Sequence, residues 1–155
     1  MKTLKIKWLF LSLTIAILTT ACESVKTAIF DQYSYQKTTE LKVETSNLMD
    51  KATNSYKDHK EEVEKLLVDI QKLMEYEKNK PNNEITFAMW QLLNDKEKNL
   101  LAGFFKRWEE KETFSPVFLQ ESKNQVLETL DLLIQYEIKK DKQSKDSLLE
   151  IITNN

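Results

Sequence analysis

The 155-residue sequence predicts an all-α fold, a helical bundle of two long antiparallel helices with two short helices at one end. Three observations lead there. Glycine occurs once, at Gly103, and proline twice, at Pro81 and Pro116, so the residues that tight hairpins and phosphate-cradling turns require are nearly missing. Hydrophobic residues make up 41% and charged residues 31%, the balance of amphipathic helices rather than of a disordered chain. Apolar residues also recur at steps of three and four over long stretches, the spacing of one helix face.

The elements follow in order. Residues 1–21 have the layout of an export signal: Lys2, Lys5 and Lys7, then an uncharged run from Trp8 to Leu18 (WLFLSLTIAIL), then the small residues Thr19-Thr20-Ala21. The apolar run is too short to span a bilayer as a helix, which takes about 20 residues. Residues 22–40 read as a tether or as the start of the first helix. From residue 41 to 152 extends the helical domain. Its first helix follows the stripe Leu41, Leu48, Ala52, Ser55, His59, Val63, Leu66, Ile70, Leu73 and ends at Lys78-Asn79-Lys80-Pro81, a run of about 38 residues or near 57 Å. Thr86 is placed to cap a short helix through Leu93. Asn94 and Glu97 have capping-box spacing and predict a second short helix to Lys111. Ser115-Pro116 starts the last long helix, with Leu119, Val126, Leu130, Leu133 and Glu137 on one line. The polar segment 139–146 ends or exposes it, and Leu148, Leu149, Ile151 and Ile152 form an apolar tail suited to docking back.

The residues Thr19-Thr20-Ala21-Cys22 resemble the lipobox of bacterial lipoproteins. The resemblance covers about 22 residues and departs from the common pattern in having Leu18 one place early. It implies that the Cys22 thiol carries a diacylglyceryl group, that the signal is cut just before it, and that the new amino end is acylated. Ordinary cleavage after Ala21 also fits, since Thr19 and Ala21 are both small. Cys22 is the one cysteine in the chain, so the mature protein has no internal disulfide. The expected location is the bacterial cell envelope, outside the cytoplasm, with the membrane as partner through lipid on Cys22.

Composition also restricts function. Formal net charge is −2, and removing residues 1–21 leaves 20 basic against 25 acidic residues, a net −5. Such a surface offers no electrostatic footprint for nucleic acid. His59 is the single histidine, and without a second histidine or a free thiol no metal site is expected; it belongs at the edge of the core or in solvent. No glycine-bearing nucleophile turn accompanies the serines, so no catalytic residues and no cofactor are assigned. The compositional anomaly is residues 86–118, which hold seven of the 13 aromatics after residue 21. Phe87, Trp90, Phe104, Phe105 and Trp108 are the candidate partner or ligand surface. They serve either as a small core joining the short helices to the long pair or as an open groove for another envelope protein. The expected role is therefore a non-catalytic binding or structural module, with a carrier of a small apolar ligand between helices as the alternative.

Overall fold

The structure, a computed structural model, describes residues 27–154. The expected export signal at 1–21 and Cys22 lie outside the described residues. Among those described, the chain is all-α: six α-helices and two 3₁₀ turns, with no strand. None of these helices is long and apolar enough to cross a membrane.

Helix α1 (Gln32–Met49) opens at Asp31, whose backbone is extended and whose carboxylate accepts the N–H of Ser34 at 2.9 Å. It begins nine residues before the apolar stripe, so residues 32–40 are helix and not tether. Its buried line is Ser34, Thr38, Leu41, Thr45 and Leu48; the small polar members kept its first turns from showing in a hydrophobic pattern. The expected 38-residue helix is in fact two. Asp50–Thr53 and Tyr56–Asp58 tighten into 3₁₀ turns, and Asn54 and Ser55 between them are extended. Helix α2 (Lys60–Lys78) then runs back along α1.

Helix α3 (Glu84–Leu93) starts after Asn83, three residues before the expected Phe87. The predicted helix from Asn94 to Lys111 is shortened to α4 (Leu101–Lys111). Asp95 takes the N–H of Glu97 into a local turn at 2.9 Å, and Leu100 is extended, so residues 94–100 stay outside the helix. Ser115 caps α5 (Pro116–Lys139), accepting from the Phe118 N–H at 3.3 Å, with Pro116 in the first turn as predicted. Lys140 adopts left-handed backbone, and Asp141 caps α6 (Lys142–Asn154) through the Ser144 N–H at 2.8 Å. The apolar tail does dock: Leu148 is fully buried.

Splitting the first helix changes the architecture from the expected pair. The contacts α1–α5, α5–α6, α6–α3, α3–α2 and α2–α1 close a ring of five helices. The α1–α5 seam is antiparallel, tied by Asp31 to Glu137 at one end, Lys42 to Asp131 midway, and Asp50 to Lys123 at the other. Helix α4 packs against the turn Tyr56–Asp58. Residues 101–105 are consecutively buried, and five successive residues at about 100° each go round a helix completely, so its first turn is covered on every side.

That burial explains the lone glycine. A Cβ on Gly103 would stand 1.7 Å from the Lys98 carbonyl oxygen, a backbone atom that cannot swing aside. Replacing a mid-helix glycine by alanine ordinarily stabilises by about 1 kcal/mol. Gly103→Ala is expected to do the opposite here, lowering stability by about 2 kcal/mol or more in urea unfolding; an unchanged or raised midpoint would contradict the close approach.

Candidate functional site

The aromatic residues singled out by composition are placed first. Trp90, Phe104, Phe105 and Trp108 are at most 1% exposed, and Phe87 is half-buried at their edge. Trp90, Phe104, Phe105 and Trp108 are therefore not an open partner surface: they lie in the core, where the rings of Phe104, Phe105 and Trp108 pack on one another. Phe104 meets Phe105 at 5.6 Å and Phe114 at 5.1 Å, and Trp108 meets Tyr56 edge-on at 5.5 Å. Each large ring that packs in this way removes its area from water and gains further from edge-to-face contact. The physical reason is the split first helix, which turns at residues 50–59 and brings Tyr56 and Ala52 over α4. The Trp108 indole N–H donates to the carbonyls of Asn54 and Glu112, both at 3.1 Å. His59 lies against the same indole at 5.7 Å and shares its Nδ1 with Glu62 at 2.8 Å, a histidine at the core edge. Glu62 titrates below its ordinary range through its bond to Lys51 and then its bond to His59. No group of three or more metal-ligating side chains occurs among the described residues.

The less expected cluster lies at the other end of the domain, where the described chain enters. There Asp31 before α1, Tyr76, Glu77 and Lys80 around the end of α2, Asn83 before α3, and Glu137 and Lys140 at the end of α5 converge. Glu77 and Glu137 are 1% and 3% exposed. The Lys80 ammonium stands among three carboxyl groups, 3.3 Å from Glu77, 3.8 Å from Glu137 and 3.9 Å from Asp31, and donates to Ser34 Oγ at 2.8 Å. Lys140 pairs with Glu137 at 2.7 Å. Glu137 Oε1 accepts the Asp31 N–H at 2.7 Å, and Asn83 Nδ2 donates to Glu77 Oε2 at 2.5 Å. Ala28, almost fully buried, gives its N–H to the Asn82 carbonyl at 2.9 Å.

Burial by itself would raise the Asp31 carboxyl. The Ser34 N–H, the Tyr76 hydroxyl and the Lys80 charge outweigh it and hold Asp31 below its ordinary value of 3.8. The same contact acts in reverse on Tyr76, whose hydroxyl donates to Asp31 Oδ2 at 2.7 Å and is pushed up to about 12, with burial adding to the effect. Every charge named here is answered by an opposite charge or a donor within the cluster. The arrangement positions chains; it holds α1, α2, α3 and α5 in one register. Oxygen atoms Glu77 Oε1, Asn83 Oδ1 and Thr86 Oγ1 are buried there without a hydrogen-bond partner, a cost of about 1–3 kcal/mol each that the surrounding pairs offset.

Sequence reading missed this cluster, although two signals were present. Glu137 falls on the same line as Val126, Leu130 and Leu133, and Glu77 continues the line of Ile70 and Leu73 by four residues. An acid on an apolar stripe demands a buried cation, and Lys80 and Lys140 each stand three residues after one.

Two measurements test the cluster. Lys80→Met leaves buried acids without their central cation and is expected to cost about 3 kcal/mol in chemical denaturation, part of which Glu77→Gln in the same chain restores; additive losses would show that the two do not act on each other. Asp31→Asn keeps the helix cap, because asparagine caps as well as aspartate, and removes only the charge. Folding favours the ionised Asp31, so its contribution is present at pH 7 and fades as the pH falls through 3.8 toward the lower folded value. The stability gap between wild type and Asp31→Asn should accordingly narrow between about pH 5 and pH 3, and a gap constant across that range would remove the charge from the explanation.

Comparison of the chain with protein-family models, with curated proteins and with solved structures finds no match.

Proposed function

We propose that the protein is a lipid-anchored module of the bacterial cell envelope, held outside the cytoplasm by acyl chains on Cys22 and acting without catalysis as a binding or structural element. The observation that carries this reading is the order of the chain. An export-type start with basic, apolar and small-residue parts ends at the one cysteine, and a helical domain follows it in the chain, with its first described helix at Gln32–Met49. Two acyl chains give stable attachment where one is marginal. The non-catalytic part of the reading is supported by how the polar groups are spent. The buried acids pair with Lys80 and Lys140, and His59 is held between Trp108 and Glu62.

The proposed partner is another envelope protein, met at the end away from the anchor. Helices α1 and α5, of 18 and 24 residues, carry that end about 27–36 Å from the entry end. Val117 there is 69% exposed and the Lys57 side chain 79% exposed.

The test has two arms. Intact-mass analysis of the protein from its membrane fraction should give the mass of a chain beginning at Cys22 plus its acyl groups, and Cys22→Ala should release the protein from that fraction. Photo-crosslinking residues at Lys57 and Val117 in intact cells should capture one envelope protein in the anchored form and lose it with Cys22→Ala. An unmodified Cys22 would overturn the anchor, and the absence of any captured protein at both positions would overturn the binding role.

A further inference from the structure

Large hydrophobic side chains left exposed are unevenly distributed. Of the nine among the described residues, Ile29, Phe30, Tyr33, Tyr76, Ile138 and Leu149 belong to the end where the chain enters, and Val43, Val68 and Val117 are scattered elsewhere. Ile29 is the most exposed of all, at 85%, and Phe30 beside it is 47% exposed. They are held there firmly. On one side the Ala28 N–H is bonded to Asn82, and on the other Asp31 is bonded to Ser34, Tyr76 and Glu137. The two side chains therefore project from a fixed point of the backbone, between a buried anchor residue and a helix cap. The same end has an open groove of about 380 Å³ where Lys140, Lys142 and Lys145 alternate with Asp141 and Asp146 beside Leu149.

We propose that this end of the domain lies directly on a lipid bilayer, with Ile29 and Phe30 inserted at the boundary between headgroups and acyl chains. The inference rests on the reading of Cys22 as a lipid anchor and goes beyond it, since a tethered domain need not touch its membrane. The length of chain available decides the occupant. From Cys22 to Ile29 is seven residues, a reach of at most about 25 Å fully extended, so an acylated Cys22 keeps these side chains close enough to touch the bilayer and leaves no room for a second protein domain to stand between them and it. An aliphatic and an aromatic side chain at that depth gain by leaving water, and aromatic rings such as Phe30 and Tyr33 suit the interface. Charge contributes little: Lys139 and Lys142 are exposed at this end, but Asp141 and Asp146 lie beside them, and Lys142 pairs with Asp146. The contact is thus apolar in character and insensitive to salt. It stands the α1–α5 axis away from the surface and presents Lys57 and Val117 outward.

The test uses the full-length protein, purified from membranes and reconstituted in vesicles of phosphatidylethanolamine and phosphatidylglycerol, with an environment-sensitive fluorophore on one introduced thiol. Acylation of Cys22, read by intact mass, leaves the introduced thiol as the sole target. Labels on Ile29→Cys and, separately, on Phe30→Cys are expected to shift to the blue and to lose most of their emission when nitroxide-bearing lipids replace ordinary ones; a label on Lys57→Cys should change in neither respect. The quenching at 29 and 30 should persist in 0.5 M salt, about 4 Å of Debye length. Labels at 29 and 30 that stay water-like on a protein whose Cys22 is acylated would overturn the bilayer contact and leave the anchor standing. An unacylated Cys22 would overturn the anchor; the same labels in a Cys22→Ala background would then support the contact on its own if quenched by added vesicles, and overturn both if not. Equal quenching at Lys57 and Ile29 would also overturn it, because the domain would then lie flat.

Discussion

The Trp108 indole N–H, shared between the carbonyls of Asn54 and Glu112, sits where three parts of the chain must agree. It lies beside the extended Asn54–Ser55 link that divides α1 from α2, at the end of α4, and before the start of α5. A buried indole gains by pairing its single donor, and two carbonyls outside the regular helix ladders accept it here. The break at residues 50–59 supplies one and the frayed end of α4 the other. The Tyr56 N–H bonded to the Glu112 carbonyl and the Phe114 N–H bonded to the Ala52 carbonyl complete the junction. With the first helix divided here, α1 and α2 become neighbours in a ring, and the turn Tyr56–Asp58 between them meets the aromatic face of α4.

At the opposite end the constraint is electrostatic. Two acids with almost no exposure and a lysine among three carboxyl groups form an arrangement that is costly to desolvate and costly to break. Such a cluster adds less to stability than its number of bonds suggests. What it adds is register, because the chain before α1, the end of α2, the start of α3 and the end of α5 must all arrive together for Lys80 and Lys140 to find their acids. The consequence reaches the surface. With Ala28 and Asp31 both held, Ile29 and Phe30 stay exposed at a defined place, next to the point from which the proposed anchor leads away. The two ends thus divide the work: an aromatic junction sets the topology, and a polar junction sets the geometry of the end assigned to the membrane.

Much of the helical content was legible from the residues alone. Ser115-Pro116 marked the start of α5 correctly because the cap and the proline act within one turn. The stop at Lys78 to Pro81 ended α2 where expected, and the tail at Leu148 docked. Errors came where local rules meet polar residues on buried faces. Ser34, Thr38 and Thr45 lie on the inner line of α1, so an apolar pattern could not find its first turns. Ser55 and His59 fell at helix-like steps in a segment that is not helical, because their spacing continued a stripe that the backbone had already left. Asn94 and Glu97 matched a capping box, but Asp95 captured the Glu97 N–H and the helix waited until Leu101.

Sequence alone determined the all-α class, since one glycine and two prolines leave few ways to turn a chain and helix-face periodicity needs no partner to be seen. It also located the aromatic concentration at residues 86–118 without deciding between a core and an open groove. Tertiary structure decided which neighbours its rings meet, that five helices close in a ring, and that Glu77 and Glu137 meet Lys80. The reason is range. Caps, periodicity and turn chemistry act over three or four residues and are written locally, whereas the desolvation of an indole or a carboxyl group is settled by whatever lies across the fold, some 54 residues away for Trp108 and Asn54 and 106 for Asp31 and Glu137.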